Sequence, residues 1–263
     1  MDFQTDILAE SGDDSVTVLN RDGTSPIILM CDHASPDIPP EYNKLGLVDD
    51  VFEKHVAYDI GARDMTHEMV RLLDAPAVLT NYSRLLIDPN REPNQPGYIP
   101  TVSDGITIPG NIDLDDAERG ARMRRFYEPF HDAVSLQLDH MQQKGVTPIV
   151  VGVHSFTPIM QGAGRPWQIG LLWNRDPRLA VRLLDYFRQD PQLTVGDNEP
   201  YSGRVLGYSM DEHGGRNGFA NVVFEVRQDL IATPEDARHW AKVAVDSLLH
   251  VTADASLFGV QHY

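Results

Sequence analysis

Short apolar runs alternate with stretches of helical periodicity along almost the whole chain, and that alternation limits the possible folds more than any other feature. Ile27-Ile28-Leu29-Met30-Cys31, Ala77-Val78-Leu79-Thr80, Leu85-Leu86-Ile87, residues 148–153 and residues 221–226 read as strands. Between them, residues 49–73 place Val51, Val56, Ile60, Met65, Met69, Leu72 and Leu73 at roughly helical spacing, with Pro76 as the stop. Asp113, Asp115 and Asp116 open a long helix, acidic at its start as the helix dipole prefers, in which Pro129 predicts a kink. Residues 177–189 and 234–250 read as two more helices. Strands alternating with helices predict an α/β fold, a sheet with helices on its faces, as a single domain over residues 17–263. Residues 1–16 are polar and acidic and read as a loose arm. Residues 88–112, rich in proline and glycine, read as one long loop, a length usually kept for function.

Charge and cysteine content narrow the chemistry. The chain carries 22 Lys and Arg against 39 Asp and Glu, a formal net charge of −17. Such a surface repels polyphosphate and excludes a general nucleic-acid partner, although a small anion feels only its local site. Cys31 is the 1 cysteine, so any metal must be held by histidine and carboxylate. The first residues lack the basic flank and apolar run of a secretion signal, and no stretch is apolar enough to span a membrane. The expectation is a cytoplasmic protein with no membrane partner.

Ligands of open α/β sheets bind beyond the carboxyl ends of the strands, so polar residues that directly follow apolar runs are the informative ones. Four places qualify: His33, the segment from Arg84 to Arg91, His154, and Glu225 with Arg227. Two imidazoles and one carboxylate are a common Zn²⁺ set that leaves a position for water. His33 and His154 are the candidate imidazoles; each could instead be a hydrogen-bonded strand cap. For the carboxylate, Asp59 stands one helical turn after His55, while Asp37 and Glu41 follow His33 in a proline-rich turn. The fourfold spacing of His55, Asp59, Arg63 and His67 also fits an ion-paired helix face. Asp59 is the preferred third ligand.

Glu225 lies inside Val222-Val223-Phe224-Glu225-Val226-Arg227, where alternation puts Val223, Glu225 and Arg227 on one face. A carboxylate in an apolar run is costly unless paired or used, and burial raises its pKa, which suits a general base and acid. The competing account is a structural Glu225–Arg227 pair. Arg84 and the turn Asp88-Pro89-Asn90-Arg91 offer guanidinium forks and an amide suited to a carboxylate. Arg119, Arg122, Arg124 and Arg125 read as solvated helix charges, and His131 as structural. Ser155 follows a strand but sits in no G-x-S-x-G elbow, and Gly162-Ala163-Gly164 opens no helix after a strand. Serine-nucleophile and dinucleotide chemistries drop out.

Six ordered blocks form a pattern: Asp32-His33-Ala34-Ser35, the run from Ser83 to Arg91, Phe126-Tyr127-Glu128-Pro129-Phe130-His131, Val153-His154-Ser155-Phe156-Thr157-Pro158, Gly196-Asp197-Asn198-Glu199-Pro200-Tyr201 and the run from Glu225 to Leu230. Together, over about residues 20–250, they resemble the N-formylglutamate amidohydrolase family, which in turn is similar to the zinc carboxypeptidases and aspartoacylase. The resemblance implies a mixed, mostly parallel sheet and one Zn²⁺ ion, or another divalent metal, held by His33, His154 and a carboxylate. It implies Glu225 as the catalytic base and Asn90-Arg91, with Arg84 upstream, as the clamp on the substrate carboxylate. From the residues themselves, Arg84 is also expected beside the developing oxyanion, and Arg227 joins Arg84 and Arg91 in a local cationic pocket for the substrate. The related enzymes place their carboxylate ligand three residues after the first histidine; here that position is Pro36, which cannot bind metal, so the third ligand comes from elsewhere, Asp59 being preferred and Asp37 and Glu41 the alternatives. The implied substrate is a small anionic N-acyl amino acid such as N-formylglutamate. Two alternatives stand beside it: an amidase for a larger modified metabolite, and a carboxylate-binding protein without turnover.

Overall fold

Ile27–Cys31 and Ile149–Phe156 are buried at every position. Strands apolar along their whole length must be covered on both faces, and this molecule does so with helices. The structure, a computed structural model, describes residues 15–263. The predicted arm therefore lies largely outside the described residues, but Ser15 is buried and Val16 already belongs to the sheet.

Among the described residues eleven strands run in chain order: β1 (Val16–Leu19), β2 (Ile27–Cys31), β3 (Ala77–Thr80), β4 (Val102–Ser103), β5 (Ile106–Thr107), β6 (Ile149–Phe156), β7 (Ile159–Met160), β8 (Ala163–Gly164), β9 (Ile169–Leu172), β10 (Val195–Asp197) and β11 (Asn221–Arg227). Seven form the central sheet in the order β1-β3-β2-β6-β11-β9-β10. The four neighbour pairs β3–β2, β2–β6, β6–β11 and β9–β10 are parallel, whereas β1–β3 and β11–β9 are antiparallel. This is the mixed, mostly parallel α/β sheet that the sequence predicts. β4–β5 and β7–β8 are separate hairpins.

The helices are α1 (Ala62–Leu73), α2 (Asp116–Arg122), α3 (Glu128–Gln143), α4 (Arg178–Phe187), α5 (Tyr208–Met210) and α6 (Pro234–Val251). Thr233 caps α6, its side chain accepting from the Asp236 amide, with Pro234 at the first helical position where its missing N–H costs nothing. One apolar cluster joins one sheet face to α1, α4 and α6; a second joins the other face to α3. A third, built from Leu45, Val51, Tyr82, Leu85, Leu86, Ile87, Tyr98, Phe126 and Tyr127, lies under the loops beyond the strand ends.

Several elements differ from expectation. The helix predicted from residue 49 starts only at Ala62, because Gly61 takes a left-handed φ of 80° ahead of it. A Cβ at Gly61 would stand 2.1 Å from the Ile231 carbonyl oxygen, so the chain turns where only glycine fits. Asp59 and His55 thus precede the helix rather than sharing its face. Leu85-Leu86-Ile87 is a buried turn rather than a strand, its apolar side chains filling the third cluster. The long acidic helix is broken at residues 123–127 by a π-helical turn, and Pro129 falls in the first turn of α3, where it is tolerated. β1, β9 and β10 escape the sequence reading: each is short, and β9 and β10 contain glycines packed against the Glu199 carbonyl.

Candidate active site

β2, β6 and β11 lie side by side and parallel, so their carboxyl ends share one rim. Glu225 on β11 pairs in register with His154 on β6, and His33 follows β2 by two residues. His154 lies within its strand, two residues before the end, rather than after it. The loop before α1 folds back between these strands: the Asp59 amide donates to the His33 carbonyl at 3.0 Å, and the Ser155 amide donates to Asp59 Oδ2 at 3.2 Å. His33, Asp59, His154 and Glu225 are all at most 5 % exposed. They line a cavity of about 320 Å³ together with Arg84, Asn90, Arg91, His55 and Tyr201.

The histidines are set by carboxylates behind them. His33 Nε2 is 2.8 Å from Asp88 Oδ1, and Arg84 Nη1 lies 3.1 Å from His33 Nδ1. Arginine can only donate, so Nδ1 presents its lone pair and Nε2–H donates to Asp88. His154 stands between two acids, with Nε2 3.0 Å from Asp32 Oδ1 and Nδ1 2.9 Å from Asp59 Oδ2. Burial alone would lower the His154 pKa, but Asp32 and Asp59 outweigh it and hold the value well above the ordinary one. Burial likewise favours neutral Asp32, yet His154 and His33 pull its carboxyl down to about 2.

Asp32, His33 and His154 each offer one ligand atom, all within 4.8 Å of one another, so this buried cluster could hold a metal ion. Asp59 Oδ2 also lies close, 3.5 Å from His33 Nδ1 and 2.9 Å from His154 Nδ1. Zinc bonds of ~2.0–2.1 Å in a tetrahedral set put ligand atoms roughly 3.3 Å apart, and the carboxylate-to-imidazole distances here, 2.9 to 3.7 Å, bracket that value. One observation fits the pocket to a cation: Glu225 Oε2 is buried in the cavity without a hydrogen bond. Glu225 is held up by burial to about 7, with His154 opposing and Asp59 reinforcing the rise.

Arg84 lies against this centre, its Nη2 donating to Asp88 Oδ2 at 2.7 Å and its Nη1 standing 3.6 Å from Asp59 Oδ1. Asn90 turns its Oδ1 to the amide and hydroxyl of Ser209, at 3.2 and 3.1 Å, which leaves Nδ2 available to a ligand. Arg91 lines the cavity beside it, anchored through its carbonyl by the Tyr127 hydroxyl at 3.1 Å. Arg227 is not among the cavity residues; its Nε donates to Asp229 Oδ1 at 2.8 Å, and it does not pair with Glu225. Asp37 bonds locally to Ser35, and Glu41 pairs with Arg125 on the surface. Sequence reading gives no role to Asp32, Asp88 or Tyr201. Asp32 and Asp88 each directly follow an apolar run, which is the one signal that marks them.

A family model for N-formylglutamate amidohydrolase matches residues 25–232 of this chain. The chain belongs to the N-formylglutamate amidohydrolase family. The crystal structure of gene product Atu2144 from Agrobacterium tumefaciens is 36% identical with a TM-score of 0.89, covering 92% of this chain and 96% of that one. The N-formylglutamate amidohydrolase structure from Ralstonia eutropha JMP134 shares the fold at 17% identity and a TM-score of 0.57, covering 91% of this chain and 98% of that one. Comparison with curated proteins gives no match. Among the described residues no helix is long and apolar enough to cross a membrane.

Proposed function

We propose that the chain is a metal-dependent amidohydrolase that removes the formyl, or another short acyl, group from an N-acyl amino acid such as N-formylglutamate. One observation carries this reading: Glu225, buried with a free Oε2 and held near neutrality, stands in register beside His154 in a cavity that also contains Asn90 and Arg91. His33, His154 and Asp59 would hold the ion, zinc or another divalent metal, because all three line the cavity whereas Asp32 does not. Asp32 and Asp88 then act from behind, each fixing one imidazole through Nε2, the usual carboxylate support of a ligating histidine. When bound, such an ion polarises the scissile carbonyl and acidifies water to a pKa near ~7.

The remaining work falls to the chain's own side chains. Asn90 Nδ2 and the Arg91 guanidinium take the substrate α-carboxylate, orienting the amide towards Glu225. Glu225 accepts a proton from the attacking water as its oxygen bonds to the acyl carbon. As the C–N bond breaks, the same carboxyl gives that proton to the departing nitrogen, leaving a short acid and a free amine. A carboxyl titrating near the working pH suits both transfers. Arg84, on the His33 side, donates to the carbonyl oxygen as charge builds there. Arg227, engaged with Asp229, has no part in this scheme.

The test is a panel of N-formyl, N-acetyl and bulkier N-acyl amino acids, scored by amine release from zinc-reconstituted protein, with metal content measured in parallel. Asp59→Asn should lose the metal. Asp32→Asn should keep it at roughly 10–100-fold lower affinity, as expected of an outer partner. If the metal-loaded protein hydrolyses none of the panel yet binds the acids, a carboxylate-binding protein is the better account. Preference for bulky acyl groups would favour the larger metabolite, for which the hairpin residues Ser103, Asp104, Met160 and Gln161 at the cavity supply room to vary.

A further inference from the structure

A half-buried and a buried histidine, His131 and His213, away from the proposed metal centre form a hydrogen-bonded chain that ends on the 89–91 turn. His131 stands in the first turn of α3 and His213 in a π-helical turn, residues 211–215, that continues α5. Their rings stack with centroids 5.1 Å apart and planes 22° from parallel. His131 Nδ1 is 2.8 Å from His213 Nε2, and His131 Nε2 is 3.1 Å from the Pro89 carbonyl oxygen. A carbonyl only accepts, so His131 carries its proton on Nε2 and leaves a lone pair on Nδ1. His213 must then donate from Nε2. The proton order is fixed along the chain from His213 through His131 to Pro89. Burial disfavours charge on both rings, holding His213 down to about 3, which agrees with two neutral imidazoles.

The same turn is held at each of its residues. The Pro89 carbonyl takes the histidine chain, the Asn90 side chain takes Ser209, and the Arg91 carbonyl takes Tyr127. Tyr127 and His213 both come from π-helical turns, a geometry that is rare and found mostly at functional sites. Three anchors thus fall on three successive residues of a turn that is half-buried or buried. They suit a turn whose side chains must meet a ligand at fixed positions.

We propose that His131 and His213 are positioning residues for substrate recognition: by fixing the Pro89 carbonyl they set where Asn90 and Arg91 meet the α-carboxylate. This inference rests on Asn90 and Arg91 being that clamp. The pair acts on discrimination between a carboxylate and its neutral counterpart, and it leaves bond cleavage to Glu225.

The experiment compares N-formylglutamate with its α-carboxamide as substrates of the zinc-loaded enzyme. His131→Phe and His213→Phe should raise KM for the acid about tenfold, the equivalent of one weakened hydrogen bond to a charged group, with kcat little changed and the carboxamide unaffected. His131→Gln and His213→Gln, which keep a donor at the ε position, should restore most of the acid's KM. Equal losses on acid and carboxamide, or no rescue by glutamine, overturn the proposal in favour of plain packing. Arg91→Ala separates the two levels. If it leaves the preference for the acid intact, the clamp itself is wrong; if it abolishes the preference while the histidine variants keep it, only the histidine role falls. Should the phenylalanine variants fail to fold, long-range ¹⁵N–¹H NMR of the unaltered protein decides. Both rings must be Nε2–H tautomers, and Nδ1–H on either one refutes the chain.

Discussion

Replacing Glu225 by glutamine should separate stability from function in a way that depends on pH. The Glu225 carboxyl is raised by burial from 4.5 to about 7, and its Oε2 has no hydrogen bond. The folded protein therefore binds this proton more tightly than the unfolded chain does, so the group lowers stability as pH rises from 4.5 towards 7. Above that window the cost of keeping the charge is full. With each unit worth about 1.4 kcal/mol, the shift amounts to roughly 3 kcal/mol in metal-free protein. Glu225→Gln removes the charge at nearly constant shape, although its new amide nitrogen recovers no partner, so about 2 kcal/mol of net gain is expected at pH 8 and almost none near pH 4.5. For a domain of this size that corresponds to roughly 4–8 °C in Tm. Thermal unfolding of chelator-treated wild type and variant at the two pH values measures it, and amine release after zinc loading should fall by about 10²–10⁴-fold in the same variant. A variant equally stabilised at both pH values, or one that turns over normally, would refute the reasoning.

Other outcomes follow from single groups. Cys31 is fully buried and burial pushes its thiol up to about 12, so a thiol reagent should leave the native chain unmodified and label 1 site only after denaturation. Arg122 is 2 % exposed and donates to the Leu86 and Gly110 carbonyls, Asn111 and Glu118, tying the loops under the cavity together. Arg122→Ala should cost about 2–3 kcal/mol in urea unfolding by stranding the buried carbonyl and Asn111 acceptors, and a loss under about 1 kcal/mol would show that the loops hold without it. Gly61→Ala meets both a left-handed φ and the Ile231 carbonyl, so it should destabilise the fold by more than about 1 kcal/mol and weaken metal binding by displacing Asp59. Unchanged zinc affinity in that variant would separate Asp59 from the ion.

The sheet was legible where strands are apolar throughout. β2, β6 and β11 announce themselves, and because they lie parallel and adjacent, His33, His154 and Glu225 converge as strand-end logic requires. What lay beyond local pattern is where the chain turns. The apolar spacing of residues 49–73 mimics a helix that Gly61 interrupts, so Asp59 reaches the cavity from a loop rather than from a helix face. Leu85-Leu86-Ile87 has strand composition, yet its side chains are used to fill a cluster under loops, a tertiary demand that periodicity does not encode. Arg227 shares a strand face with Glu225 by alternation, but Asp229 two residues on captures it. Arg122 reads as a surface charge until Asn111 and the carbonyls around it are in place. His131 shows no sequence partner because His213 is brought to it from 82 positions away.

The place of β11 in the sheet bears on the order in which the molecule is made. It lies between β6 and β9, both of which leave the ribosome before it. A nascent chain that ends short of residue 221 already contains His33, Asp59 and His154, but its sheet is divided at the centre and Glu225 does not yet exist. On the proposed roles, such a chain carries the three ligand residues before it owns the group assigned to move protons. On the proposed assignment, then, the residue given to proton transfer enters with the one strand that completes the middle of the sheet.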